Sequence, residues 1–235
     1  MGMVHGPNMV TDNLVFYVDA GNVQSYPGSG PTWYDLVGTA DLTNDGATWN
    51  SAGYFHVVGG DNLETQSASL TFSTEITLTT WWQRLGTGLG APRVLEAFMT
   101  GVSSPAYSHT LAVDADASLR AWLDENGTAY DRFVTLDDAT TWTDGNWHYM
   151  VLTFNNTTAV LYMDGVAVES TSITTTGLDD ANGIIVGSIS NYSGGFSHSD
   201  HAFDGYIASC SLYNRGLTAA EVLQNYNAHK SRYGL

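Results

Sequence analysis

A two-sheet antiparallel β-sandwich closed by one short C-terminal helix is what this sequence predicts, and three observations predict it. Turn formers are dense, with 25 Gly among 235 residues and frequent Thr, Asn, Ser and Asp between apolar runs, while lysine is reduced to Lys230. Such a composition suits strands and turns rather than helices. Roughly a dozen short runs rich in β-branched and aromatic residues recur along the chain, as in a sandwich. Helical periodicity is confined to the C-terminus.

The strongest element is the stretch from Asp144 to Val168. Asn146–Phe154 and Ala159–Met163 are apolar runs separated by Asn155-Asn156-Thr157-Thr158, and the second stops at Asp164-Gly165 before Val166-Ala167-Val168 resumes it. Asp-Gly suits a two-residue turn that needs positive φ, so three consecutive antiparallel strands are predicted. In the first of them Trp147, Tyr149 and Val151 alternate with His148, Met150, Leu152 and Phe154. Both faces are therefore apolar, which places this strand inside a two-layer structure.

Taken in order, residues 1–12 read as an extended N-terminal arm, polar and without periodicity, and 13–235 as one sandwich domain. As a terminus the arm is loose; as a functional segment it is a strap for a neighbouring subunit. Leu14–Val18 is the first strand, ending at Asp19-Ala20-Gly21-Asn22, and a loop carries Ser25–Pro31 and Trp33-Tyr34-Asp35-Leu36. Short strands follow at Ala47–Trp49 and Tyr54–Val58, then a long alternating one at Ile76–Gln83. Because neighbouring side chains in a strand point to opposite faces, Trp81 and Trp82 cannot share one. Further strands are expected at Val94–Met99, His109–Val113, Ser118–Leu123 and Ala129–Val134, with a turn at Asn126-Gly127 and a polar connection at Leu136–Thr143. Gly183–Ser188 and Phe203–Tyr213 complete the strands, separated by the open loop Ser190–His201. Thr218 ahead of Ala219-Ala220-Glu221 is an N-cap with Glu at the third helical position, and Val222, Leu223 and Tyr226 recur at helical spacing.

Charge and composition exclude several classes. Seven Lys and Arg stand against 24 Asp and Glu, a formal −17, so nucleic acid is not an expected partner, phosphate contacts needing basic side chains. No run approaches the length of a membrane span, and Met1–Asn8 has neither a basic n-region nor an apolar core, so no signal peptide is expected. Cys210 is the sole cysteine, which rules out an intrachain disulfide.

Three segments now carry a family resemblance: Ile76–Trp81; Asp144-Gly145-Asn146-Trp147-His148 running through Leu161–Gly165; and Phe203-Asp204-Gly205-Tyr206-Ile207 running through Leu212–Thr218 and Glu221. Together they resemble the concanavalin A-like lectin/glucanase superfamily, and within it the laminin-G-like, pentraxin-type jelly rolls, over about residues 12–230. The N-terminal phrase Leu14–Asn22 with Ser25–Gly30 and Trp33–Leu36 is similar to the version of the domain in structural proteins of tailed phages, especially marine ones. The resemblance implies a jelly roll and, for laminin-G-like members, calcium as a candidate cofactor. It places the ligands at Asp19 and Asn22 after the first strand and at Asp204 at the start of the last long one.

Catalysis is not expected. Retaining glycoside hydrolysis needs two carboxylates about 5 Å apart, which the superfamily's glucanases place on one strand as Glu-x-Asp-x-x-Glu; the six glutamates at 64, 75, 96, 125, 169 and 221 nowhere form that spacing. Cys210 has no suggestively placed His and no Gly-x-Ser-x-Gly elbow occurs. His198 and His201 flank Asp200, with His229 more remote; adjacent residues in a loop seldom close a metal site unaided. Glycan recognition uses aromatic faces stacked on sugar rings. The loop aromatics that fit are Tyr26, Trp33, Tyr34, Trp142, Tyr192 and Phe196, although each also suits a lid over a sandwich edge.

The expectation is thus a non-enzymatic phage virion surface protein, a capsid decoration or fibre or tail component, made in the host cytoplasm and extracellular once released. Its expected partners are major capsid or tail proteins, further copies of itself, and host surface glycans; membranes and nucleic acid are not. The alternative is a freestanding carbohydrate-binding module or adhesin of a bacterial surface protein.

Overall fold

In the computed structural model of the protein the described residues are 8–86, 92–98, 108–114, 118–125, 128–136, 142–189 and 198–235. They form two eight-stranded sheets. Across the first run β14 (Val166–Ser172), β13 (Thr158–Met163), β12 (Trp147–Asn155), β7 (Glu75–Arg84), β16 (Gly205–Tyr213), β5 (Tyr54–Val57) and β4 (Thr48–Asn50), with β1 (Leu14–Asp19) paired to β16. Across the second run β11 (Thr128–Leu136), β10 (Leu119–Glu125), β9 (Ser108–Val113), β8 (Arg93–Phe98), β15 (Gly183–Val186), β6 (Asn62–Thr65), β3 (Leu42–Asp45) and β2 (Thr32–Trp33). Every pairing between these strands is antiparallel. The predicted two-sheet sandwich is therefore the observed fold.

The central hairpins form as the sequence dictates. Asp164 and Gly165 both have positive φ, 53° and 83°, as a primed two-residue turn requires. The preceding turn is tighter than the four residues expected, because β12 runs to Asn155 and β13 starts at Thr158. Asn156 takes the left-handed conformation there, and the Asn155 Oδ1 accepts the Thr158 N–H at 3.1 Å.

The alternation at Trp81-Trp82 builds two cores. Trp82 lies in the main core between the sheets with Phe55, Leu78, Leu152 and Phe203. Trp81 faces outward and joins Tyr149, Val151, Tyr213 and Val222 in a second apolar cluster. That cluster is roofed by α1 (Ala219–His229) and the 3-10 turn η2 (Lys230–Tyr233). Tyr226 and Tyr233 stack on the Trp81 indole with centroids at 5.6 and 4.3 Å. The predicted cap is present: the Thr218 hydroxyl accepts the Glu221 N–H and the Glu221 carboxylate accepts the Thr218 N–H. The guanidinium of Arg215 grips the same carboxylate at 2.6 Å and, as the first cause, holds its pKa down at about 2. At the other end of the roof, Arg232 pairs with Asp19 at 2.6 Å and donates to the Gly53 carbonyl. Its guanidinium lies where a Cβ on Gly53 would stand, and φ there is +90°, so only glycine fits.

The described part of the N-terminal arm packs on its own domain. The Val10 N–H donates to Asn225 Oδ1 at 2.7 Å, the Tyr213 hydroxyl donates to the Val10 carbonyl at 2.9 Å, and Gln224 donates to the Asn8 carbonyl at 2.7 Å. Residues 8–12 are thus satisfied in cis rather than projecting as a free strap. β2, β3 and β6 are strands that sequence reasoning did not find. The Asn126-Gly127 turn, most of the 136–143 connection and most of the Ser190–His201 loop lie outside the described residues.

Candidate functional site

The described loop aromatics among those chosen from sequence do not form a shared exposed site. Trp33 is 0% exposed, held in β2 with its ring against Phe55 at 4.9 Å, so it is a core residue with no face for a sugar. Tyr26 is buried as well, edge-on to Phe55 at 4.9 Å with its hydroxyl donated to the Gly30 carbonyl. Trp142 is half-buried against the main core. Tyr34 is 44% exposed and keeps an accessible ring, while Tyr192 and Phe196 lie outside the described residues.

The three metal candidates are not brought together either. β1 and β16 do pair, but the register sets Asp19 against Ser209, five residues from Asp204 and so ~16 Å away along the strand. The Asp19 carboxylate is occupied by Arg232, by the Gly21 N–H at 2.8 Å and by the Tyr17 hydroxyl at 3.1 Å. Asn22 Oδ1 accepts the Gln24 N–H. Among the described residues no three His, Cys, Asp or Glu side chains are grouped so that they could hold a metal ion. His229 sits on α1 with Nδ1 3.2 Å from the Asn225 carbonyl, and burial, the largest cause, lowers its pKa. Cys210 is buried in the main core and burial pushes its thiol up to about 12, far from a thiolate at neutral pH.

What the fold does assemble is an aromatic row on the outer face of the first sheet. Register places Trp147 of β12 beside Gln83 of β7, Gln83 beside Tyr206 of β16, Tyr206 beside His56 of β5, and His56 beside Thr48 of β4. Tyr54, two residues before His56 on the same face, closes on Tyr206 and Trp147 with centroids at 4.5 and 5.5 Å. Trp147 is nearly parallel to Tyr206 at 6.3 Å, and His56 meets Tyr206 edge-on at 5.2 Å. All of these rings are half-buried, each keeping part of its surface exposed. Gln83, between the two largest, is tied by its Nε2 to the Gly145 carbonyl. Val58 and Leu85, the residues that follow β5 and β7, are exposed at the end of the same face. The row continues inward to Trp81 through Tyr233, 4.8 Å from Trp147, so the packed roof sets the exposed rings in place. Ring faces fixed by packing, with amide and imidazole groups between them, can stack sugars and hold hydroxyls at low entropic cost.

Beside the row, His148 locks two turns. Its Nδ1 lies 2.8 Å from Asp164 Oδ2 and its Nε2 3.1 Å from Asp144 Oδ1. Burial pulls its pKa down, but the two carboxylates outweigh burial and hold it above the ordinary 6.5. A group raised on folding stabilises fully below its unfolded pKa, and that contribution is lost as pH climbs through the folded value. Wild type should therefore exceed His148→Gln in melting temperature at pH 6, with the gap closing as pH rises past the raised value; a gap constant from pH 6 to 9 would show that the imidazolium charge is not used.

An outward-facing aromatic row on a two-sheet antiparallel sandwich is a lectin-like architecture. The chain belongs to the concanavalin A-like lectin/glucanases superfamily, whose family model matches residues 57–223. A comparison with curated protein sequences found no match. Among solved structures it is similar to the Trypanosoma rangeli sialidase in complex with sialic acid, at TM-score 0.67 and 17% identity over 97% of this chain and 35% of that one. It is also similar to the receptor binding domain of botulinum neurotoxin C/D mosaic serotype, at 0.65 and 11% over 92% of this chain and 51% of that one, and to the botulinum neurotoxin serotype D binding domain, at 0.63 and 13% over 92% and 51%. The chain thus spans about a third of the sialidase and half of the neurotoxin structures. At such identities the likeness is one of fold.

Proposed function

We propose that the chain is a non-catalytic recognition domain that stacks sugar rings on the outer face of its first sheet and is carried on a tailed-phage virion, as a capsid decoration or a fibre or tail component. The observation that carries the binding reading is the partly exposed row of Trp147, Tyr206, Tyr54 and His56, packed from below on the second apolar cluster. The virion placement rests on the resemblance of the Leu14–Leu36 phrases to phage structural proteins. Host glycans, neighbouring capsid or tail proteins and further copies of the chain are the partners this reading names.

One observation favours the alternative of a freestanding carbohydrate-binding module or adhesin: residues 8–12 are held by the domain's own helix, which leaves that part of the arm no strap to offer a neighbour. Calorimetric titration with a panel of neutral and acidic oligosaccharides tests the shared core of both readings. Trp147→Ala and Tyr206→Ala should each weaken binding at least about tenfold, ~1.4 kcal/mol, while Tyr34→Ala leaves it unchanged. Binding lost with Tyr34→Ala and kept with the other two would move the site to the loops, and hydrolysis of any saccharide in the panel would overturn the non-catalytic reading.

A further inference from the structure

The outer face of the second sheet carries a guanidinium that lacks hydrogen-bond acceptors among the described residues. Arg93 is 3% exposed, and its Nε and Nη1 have no acceptor among them. Buried arginine N–H groups without acceptors are costly and rare, so an acceptor from outside the chain is the economical explanation. Register shows how the place is built. Arg93 on β8 stands opposite Ala112 on β9, and Ala112 opposite Arg120 on β10, so two cations lie two strand spacings apart, ~9.6 Å, across a methyl group. The small Ala112 lets the Arg93 side chain cross β9 and lay its guanidinium 4.4 Å over the Trp122 ring, which fixes its plane. The side chain of Arg120 is 36% exposed and pairs with Asp114 at 2.7 Å, so the row runs from solvent at Arg120 to the buried fork at Arg93. Two of the seven Lys and Arg in a chain of formal charge −17 thus share one small face with the carboxylates of Asp114 and Glu96.

We infer that this face is a second binding site, separate from the aromatic row on the other sheet, and that it takes a carboxylate presented by an acidic sugar. A planar guanidinium matches a carboxylate in bidentate geometry along an edge that joins Nη2 to either Nε or Nη1. Glu96, fully buried on the same strand and face, adds negative charge that selects a singly charged group over a dianionic phosphate.

The test is calorimetry on the full chain with trigalacturonate, the neutral galactose trimer, acetate and inorganic phosphate, alongside Arg93→Met and Arg93→Lys. Trigalacturonate should bind at least tenfold more tightly than the neutral trimer, acetate should bind weakly and phosphate not at all. Arg93→Met should abolish the preference and Arg93→Lys weaken it, because an ammonium cannot form the fork. Without ligand, Arg93→Met should melt no lower than wild type, since it removes an unpaired buried charge. A preference for trigalacturonate that survives Arg93→Met, or no preference together with a lowered melting temperature in that variant, would overturn the site. Acetate or phosphate binding as tightly as trigalacturonate would overturn the acidic-sugar assignment and leave a simple anion site. Val23→Ala, at an exposed loop position, is the control: it should leave the Arg93-dependent preference intact.

Discussion

Trp81→Ala should destabilise the domain by about 3–5 kcal/mol, the cost of deleting a large buried aromatic, and lower the melting temperature by roughly 10 °C for a chain of this size. The indole is fully buried on the outer face of the first sheet, stacked against Tyr149 at 5.1 Å, Tyr226 at 5.6 Å and Tyr233 at 4.3 Å. Removing it leaves a cavity beneath α1 and η2, so the roof should loosen together with the exposed rings it supports. Trp82→Ala, in the main core, should cost a similar amount without selectively freeing the C-terminus. Differential scanning calorimetry gives the first number, and hydrogen exchange over residues 219–233 separates the two variants. Protection of that segment unchanged in Trp81→Ala would show that the roof is held by Arg215, Arg232 and the arm rather than by the stack.

Asp35→Ala should cost on the order of 3 kcal/mol, the second large effect, because hydrogen bonds to an ionised group are worth about 1.5–3 kcal/mol each and part of this set is solvent-exposed. One carboxylate organises a whole loop. Its Oδ1 accepts the Tyr17 N–H at 3.1 Å and the Val37 N–H at 3.0 Å, and its Oδ2 accepts the Gly38 N–H at 3.0 Å and the Ala40 N–H at 3.2 Å. The loop is thereby pinned to β1, and Ala40 and Leu42 are delivered to the main core. Asp35→Asn keeps the shape but replaces one acceptor with a donor facing N–H groups, so it should recover less than half of the loss. Urea unfolding of the three proteins checks both values; equal stability of Asp35→Ala and wild type would mean that water replaces the carboxylate at no cost.

Much of the fold was legible because its signals are local. The Asp164-Gly165 turn, the two-sided apolarity of β12, the Thr218–Glu221 cap and the opposed tryptophans at 81 and 82 each depend on residues within a few positions of one another. β2, β3 and β6 escaped because they are only two to four residues long and partly polar, as in Leu42-Thr43-Asn44-Asp45 and Asn62-Leu63-Glu64-Thr65. Their backbones are extended because neighbouring strands pair with them, a cause that lies elsewhere in the chain.

The site was less legible for the same reason. Tyr54, Gln83, Trp147 and Tyr206 all stand in strands that sequence assigns, yet only cross-strand register aligns them. Trp33 and Tyr34 share one loop signature, and which ring the core takes is decided by the pairing of Trp33 with Leu42. A usable signal did exist: in β5, β12 and β16 an aromatic sits near the strand end on the face opposite the core residues Phe55, Met150 and Ile207, which marks a wet aromatic face rather than a loop.

The proposed role of the outer face of the first sheet is sugar recognition. Its most direct test is to follow the seven tryptophan indole N–H resonances by heteronuclear NMR as the best-binding oligosaccharide is added. Trp147 should shift with saturating behaviour while the buried Trp33, Trp81 and Trp82 stay in place. Shifts at Trp142 with Trp147 unmoved, or at Trp122 alone, would contradict it and put recognition at the loops or on the second sheet.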